Sequence, residues 1–187
     1  MKKLLMPLAL ISSIAVGGCG EEGKSQNVEL NKKRELLNIE TFGDELSRLE
    51  KKYKTKSSTQ NQAAMTLVRK ERKEIISSFP NEFENWEVKL KNVVTDTDGE
   101  ASVEFVIPEH PQILMRATVE PNHESYNNIA NARLGSIMII SGAFREGDDE
   151  DYFIEYSFTE RGSMTEPEFA IELLNARPQD NKKKGGK

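Results

Sequence analysis

Few side chains in these 187 residues are equipped for chemistry beyond carrying charge. There is one cysteine, Cys19, and there are two histidines, His110 and His123. Structural zinc takes four N or S ligands and catalytic zinc keeps three protein ligands, and no second thiol is present. Each histidine lies beside carboxylates (Glu109, Glu120, Glu124) and a proline, a loop setting in which a surface role is expected and no metal site. Carboxylates gather at Asp96, Asp98 and Glu100, and again at Glu146, Asp148, Asp149, Glu150 and Asp151. Calcium takes 6–8 oxygens, but the second cluster lacks EF-hand spacing: Gly147 precedes the acids and no Glu follows at the twelfth position. It reads as a solvated turn whose charge protects a sheet edge. Ser141-Gly142 and Gly162-Ser163 lack the spacing of a nucleophile elbow. Loop carboxylates in water do not acquire shifted pKa values by being numerous. The expectation is a protein with no catalytic residues and no cofactor.

Cys19 has a context of its own. Met1-Lys2-Lys3 is a cationic start, Leu4 to Val16 is apolar apart from Pro7 and two serines, and Gly17-Gly18 precede the cysteine. Basic, apolar and small-residue regions in that order describe a secretory signal, too short to span a bilayer. With the cysteine in place the segment resembles a bacterial lipobox. The resemblance implies acylation of Cys19 (palmitate-class chains), cleavage before it, and a mature protein held on a membrane by two or more chains, where one would bind only reversibly. It also implies, from Gly20 where an Asp would retain the protein at the inner membrane, an outer-membrane address facing the periplasm if the cell is Gram-negative.

With Cys19 acylated no thiol remains for a disulfide, so the exported part must rely on a packed core. Its charge is lopsided. Gly23 to Phe79 holds 13 Lys and Arg against 8 Asp and Glu, whereas Pro80 to Arg177 holds 7 against 20. A basic segment near the anchor is suited to anionic headgroups, and an acidic distal segment is repelled by them.

The elements that position these residues follow from periodicity. Residues 1–18 are the signal, 19–27 a flexible tether, 28–79 a helical segment, 80–177 a β domain and 178–187 a disordered basic tail. Ile39, Phe42, Leu46, Leu49 and Tyr53 form one helical stripe, weakened by Gly43 and ended at Lys54 to Ser58. Thr59 and Gln62 suggest a capping box opening a second helix, with Ala64, Leu67, Val68, Glu71, Ile75 and Ile76 near one face and a stop at Phe79-Pro80. From Glu82 the period becomes 2. Trp86, Val88 and Leu90 alternate until Asn92-Val93-Val94, where a bulge is expected. Asp96 to Gly99 is a turn, Ala101 to Ile107 and Ile113 to Val119 are strands, and Asn122 to Leu134 is a polar, helix-compatible connection. Ile137 to Ile140 is a fourth strand. Arg145 to Asp151 turns into an alternating strand Tyr152, Ile154, Tyr156, Phe158, and Phe169 to Leu173 is the last. Trp86, Val88, Leu90, Phe105, Ile137, Ile139, Ile154 and Phe169 are the expected core.

This order predicts a mainly β fold with N-terminal helices: a five- to six-stranded OB-like Greek-key barrel preceded by a helical pair. Phe83-x-x-Trp86, Asp98-Gly99, Leu134-Gly135-Ser136 leading to Ser141-Gly142-Ala143-Phe144, and Thr159-x-x-Gly162-Ser163-x-x-x-Pro167-Glu168-Phe169 resemble the OB-fold domain of small uncharacterised bacterial lipoproteins. Some of these are labelled nucleic-acid-binding by fold analogy. The resemblance spans about residues 82 to 175 and brings no catalytic residues; Ser136-Ile137-Met138 replaces an Asp-x-Val common there.

OB folds bind on the face of strands two and three, between the loops joining strands one to two and four to five. That makes Asp96, Asp98, Glu104, Arg116, Asp148, Asp149 and Asp151 the candidate ligand-binding residues. Arg116 is the one clear cation near the face, whereas nucleic acid requires clustered Lys and Arg. The expected function is a lipid-anchored envelope module binding a protein or peptide through an acidic face. An OB nucleic-acid binder, an envelope glycan or small-molecule sensor, and a mobile-element exclusion lipoprotein are the alternatives.

Overall fold

A computed structural model describes residues 35–147 and 153–179. Cys19 with its flanking signal and tether, the acids Asp148, Asp149 and Asp151, and the tail beyond Gln179 lie outside the described residues. Helix α1, Ile39–Ser58, starts where Asn38 Oδ1 accepts from the Thr41 amide at 2.9 Å. It buries Phe42, Gly43, Leu46, Leu49 and Tyr53 on one face, the expected stripe. The helix does not end at Lys54. Its last turn is polar and needs no apolar partner, because Lys54 pairs with Glu50 and Thr55 Oγ1 bonds back to the Lys51 carbonyl.

Helix α2, Gln62–Ser78, differs from expectation at its cap and along one edge of its buried face. Asn61, not Thr59, is the cap: its Oδ1 accepts from the Ala64 amide at 3.1 Å, while the Thr59 hydroxyl closes α1 by donating to the Lys56 carbonyl. The buried face is Met65, Val68, Arg72 and Ile76, so Val68 and Ile76 lie where expected, whereas Leu67 is 68% exposed and Met65 and Arg72 take the inward positions beside them.

The five strands are β1 (Glu82–Thr95), β2 (Ala101–Ile107), β3 (His110–Val119), β4 (Ile137–Phe144) and β5 (Glu168–Pro178), with short helices α3 (Tyr126–Ala130) and α4 (Glu160–Thr165) between them. They close in the order β1-β2-β3-β5-β4, all neighbours antiparallel except β3 with β5, which is an OB-like Greek-key barrel. The ladder between β1 and β2 shifts register between Leu90 and Asn92, at the start of the expected bulge. The β1–β2 turn has Gly99 at φ +85°, where only glycine is unstrained.

The expected strand over Tyr152 to Phe158 is a correction. Tyr152 lies outside the described residues, and among the described ones that follow it Phe153 and Glu155 form only isolated bridges, to Glu146 and Phe169. The described strands of the barrel are therefore five, and the β4–β5 connection runs from Arg145 to Pro167. Five strands already close the sheet, and the residues around Glu155 merely extend the place of β4 beside the start of β5: the Tyr156 amide donates to Glu168 and the Ala170 amide to Ile154. The parity is also opposite to that expected. Phe153 points inward and stacks on Phe144 with ring centroids 4.5 Å apart, whereas Ile154 is half-buried and Phe158 is fully exposed. Ile137, expected in the core, is half-buried as well, while Trp86, Val88, Leu90, Phe105, Ile139 and Phe169 are buried.

Helices and barrel share one core. Phe42 of α1, wholly buried, meets Phe144, Phe169, Trp86 and Phe79 at centroid distances of 4.9, 5.4, 5.6 and 5.8 Å. Trp86 Nε1 donates to the Leu37 carbonyl at 3.0 Å, fixing the approach to α1. Gly43, which weakens the helix in the sequence, is where His110 of β3 comes close. A Cβ there would lie 2.1 Å from the imidazole.

On the opposite flank β3 pairs with β5 only from Leu114 to Arg116. The β3–β4 connection fills the gap that follows. His123 Nε2 donates to the Leu173 carbonyl (3.1 Å), the Ala176 amide donates to Ser125 Oγ (2.7 Å), and Asn128 Nδ2 donates to the Ala176 carbonyl (2.9 Å).

Candidate functional site

The outer face of β2 and β3 is built by alternation: Ser102 and Glu104 project from β2, and Leu114, Arg116 and Thr118 from β3, opposite the buried positions. Glu104 and Arg116 are directly opposed across the ladder. Arg116 Nη2 lies 2.9 Å from Glu104 Oε1 and also pairs with Glu168 at the start of β5. Lys91, at the β1 bulge, reaches Glu104 Oε2 at 4.0 Å. Tyr156 covers the guanidinium, its ring centroid 5.3 Å from Arg116 Cζ. The face therefore carries a cation already engaged by two carboxylates and a ring. Beside it runs a groove of about 340 Å³, lined by Lys91, Pro111, Gln112, Leu114, Glu166 and Glu168.

The β4–β5 connection borders this face and is held by the helices. Arg72 of α2 pairs with Glu155 at 2.6 Å, and both side chains are nearly buried. Burial pushes the Glu155 carboxyl above the usual range, against the opposing pull of Arg72 and of a hydrogen bond from Ser163. Arg72 also lies over Phe169, 5.8 Å from its centroid. Glu160 pairs with Arg69 and accepts from the Tyr53 hydroxyl at 3.2 Å. Ser157 Oγ accepts from the Glu168 amide (3.1 Å), and Thr159 Oγ1 caps α4 by accepting from the Gly162 amide (3.0 Å). Between these two fixed points stands Phe158, with its side chain in solvent.

Of the residues chosen from sequence, Glu104 and Arg116 meet. Asp96 is turned into its own loop, where its Oδ1 accepts from the amides of Asp98 (2.9 Å) and Glu100 (3.0 Å), so it shapes the turn. Asp98 is exposed at that turn. The sequence reading missed Glu168, which partners Arg116, and Lys91, which the bulge carries to Glu104. The alternating strand expected over Tyr152 to Phe158 puts Tyr156 and Phe158 on the same side as Ile154, a residue expected in the core; correct strand parity is the signal that finds them.

One further constellation has the order of a hydrolytic triad. Ser47 Oγ is 2.8 Å from His110 Nδ1, and His110 Nε2 is 3.5 Å from Asp44 Oδ1. Ser47 sits inside α1, where the surrounding amides donate along the helix, so none is free to stabilise an oxyanion. The Asp44 side chain is 80% exposed, and Ser47 Oγ also accepts from Gln112 Nε2 at 3.1 Å. The arrangement fastens β3 to α1. Among the described residues no group of three or more His, Cys, Asp and Glu side chains converges to hold a metal ion, and no helix is long and apolar enough to cross a membrane.

The chain matches no protein-family model, and it has no significant match among curated proteins or solved structures.

Proposed function

We propose that this chain is a lipid-anchored binding module of a bacterial cell envelope, attached through Cys19, and that its OB-like barrel engages a cationic protein or peptide. The observation that carries this reading is the state of Arg116. The cation best placed on the ligand face is held by Glu104 and Glu168. A phosphate backbone approaching that face would have to break those pairs and meet the surplus of acids in Pro80 to Arg177. A cationic partner is instead steered toward it.

The second reading is a nucleic-acid binder of OB type. What favours it is the exposure of Tyr156 and Phe158, since bases stack on such rings. Fluorescence anisotropy at low ionic strength separates the two. A lysine-rich decapeptide is expected to bind with affinity that falls as salt rises, and neutralising Asp148, Asp149 and Asp151 to slow its association; a single-stranded oligothymidine is expected to give a flat titration. Micromolar oligonucleotide binding lost on Arg116→Ala would reverse the order of the two readings. The anchor is tested by Cys19→Ser and fractionation: the variant is expected to leave the membrane fraction, and its retention after normal processing would refute lipidation.

A further inference from the structure

We propose that Phe158 and Tyr156 are the apolar anchor of this face, and that the segment they bind carries an apolar side chain next to a Lys or Arg. The inference rests on the cationic-partner reading and adds to it a sequence requirement on the partner.

Phe158 is 102% exposed, yet the chain on either side of it is fixed, by the Ser157–Glu168 bond before and the Thr159 cap after. Holding a phenylalanine in water at a set position forgoes the burial that Phe83, Phe105, Phe144, Phe153 and Phe169 obtain in the barrel. Tyr156, two residues earlier, is 38% exposed although its ring already meets Arg116. That contact demonstrates within the molecule what the face accepts: a guanidinium over an aromatic ring, with carboxylates Glu104 and Glu168 at its edge. Glu166 is exposed and lines the adjoining groove together with Leu114. Phe158 follows Ser157, whose Oγ accepts from the amide of Glu168, and Glu168 lines that groove with Glu166 and Leu114, so the acids and the apolar wall offered to a partner begin one residue from the anchor. Aromatic anchors ringed by polar groups are the usual carriers of interface affinity. Nucleic-acid stacking would use the same rings, but the fixed charges beside them are mainly carboxylates, which repel phosphate.

The experiment compares two synthetic peptides of equal charge, Lys-Lys-Trp-Leu-Lys-Lys and Lys-Lys-Ser-Ser-Lys-Lys, titrated against the full chain at low salt. The first is expected to bind about tenfold more tightly, and Phe158→Ser to remove that difference while Phe158→Trp retains it. Because the side chain makes no core contact, the melting temperature of Phe158→Ser should match that of the parent, which separates lost binding from lost folding. Equal binding of both peptides, or an apolar preference that survives Phe158→Ser, overturns the anchor and leaves the cationic-partner reading standing. Binding of neither peptide overturns both. Oligothymidine binding that is lost in Phe158→Ser assigns the rings to base stacking and overturns the inference.

Discussion

Where α1 crosses the barrel, space between strands is filled by rings: Phe42 enters among Trp86, Phe144 and Phe169, and Phe153 stacks from the β4–β5 connection. Where β3 and β5 part, the space is closed by hydrogen bonds, with His123, Ser125 and Asn128 taking up backbone groups of Leu173 and Ala176. The two closures obey different physics. Ring burial is non-directional, grows with area and tolerates exchange for residues of similar volume. A buried backbone amide needs an acceptor at one place, and its loss is felt even when no volume changes. The apolar closure therefore sets how stable the barrel is, while the polar one sets how β5 lies against β3, and with it where Glu168 meets Arg116.

The largest effect should come from the apolar side. Phe42→Ala leaves a void bordered by four rings and is expected to cost about 3–5 kcal/mol in chemical denaturation. Were the helical pair only a spacer between anchor and barrel, the barrel's unfolding midpoint would be unchanged, and the shared core would be disproved.

Next in size is the Arg72–Glu155 pair, which fastens the β4–β5 connection to α2. Arg72→Met strands a carboxylate in a nearly buried place, at a cost of about 3 kcal/mol near neutral pH. The pH dependence has a definite sign. The folded-state pKa of Glu155 lies above its unfolded value, so folding takes up a proton. Its contribution to stability is fully present below the unfolded pKa and is lost as pH rises through the folded one. Without Arg72, which lowers that pKa, the loss extends to higher pH. Arg72→Met should thus be closest to the parent in acid and fall behind it toward pH 7, whereas Glu155→Gln should gain on the parent over the same range. Parallel stability curves for all three proteins would remove Glu155 as the titrating group.

Ser125→Ala probes the polar closure. It deprives the buried Ala176 amide of its acceptor, for an expected loss of about 1–3 kcal/mol, and should speed hydrogen exchange at that amide more than at Met138 or Ile140 of the core. A loss as large as that of Phe42→Ala would mean that the seam, not the aromatic plug, governs stability.

The contrast also explains what was legible in the sequence. Apolar side chains announce a face by their period, which is why the strands from Trp86 to Ile140 and the α1 stripe can be read directly. A closure made of His123, Ser125 and Asn128 has no period, and it reads as a polar connection with nothing to do. The same limit applies to the site. Glu104 opposite Arg116 follows from strand register, but Glu168 reaches Arg116 through the parallel β3–β5 pair, a long-range pairing that no local pattern encodes. The segment Phe153 to Phe158 alternates in both parities, Phe153 and Glu155 against Ile154, Tyr156 and Phe158. Hydrophobicity favours the second set, but the stack on Phe144 and the Arg72 pair select the first.

The smallest predicted effect tests the cap and inward edge of α2, on which the position of Arg72 depends. The face expected with a cap at Thr59 sets Ala64, Leu67 and Glu71 beside Val68 and Ile76; with the cap at Asn61, Met65 and Arg72 join Val68 and Ile76 on the inward face instead. Asn61→Ala removes the acceptor for the Ala64 amide and should cost about 1 kcal/mol, the ordinary worth of an N-cap. Thr59→Ala removes only an exposed bond to the Lys56 carbonyl, which water replaces, and should cost less. Leu67→Ala should be close to neutral for the same geometric reason, since the side chain already lies in solvent, and Val68→Ala should not. A larger loss at Thr59 than at Asn61, together with a sensitive Leu67, would turn the helix by one position and move Arg72 off Glu155. The β4–β5 connection would then lack its clamp, and the placement of Tyr156 over Arg116 would lose its cause.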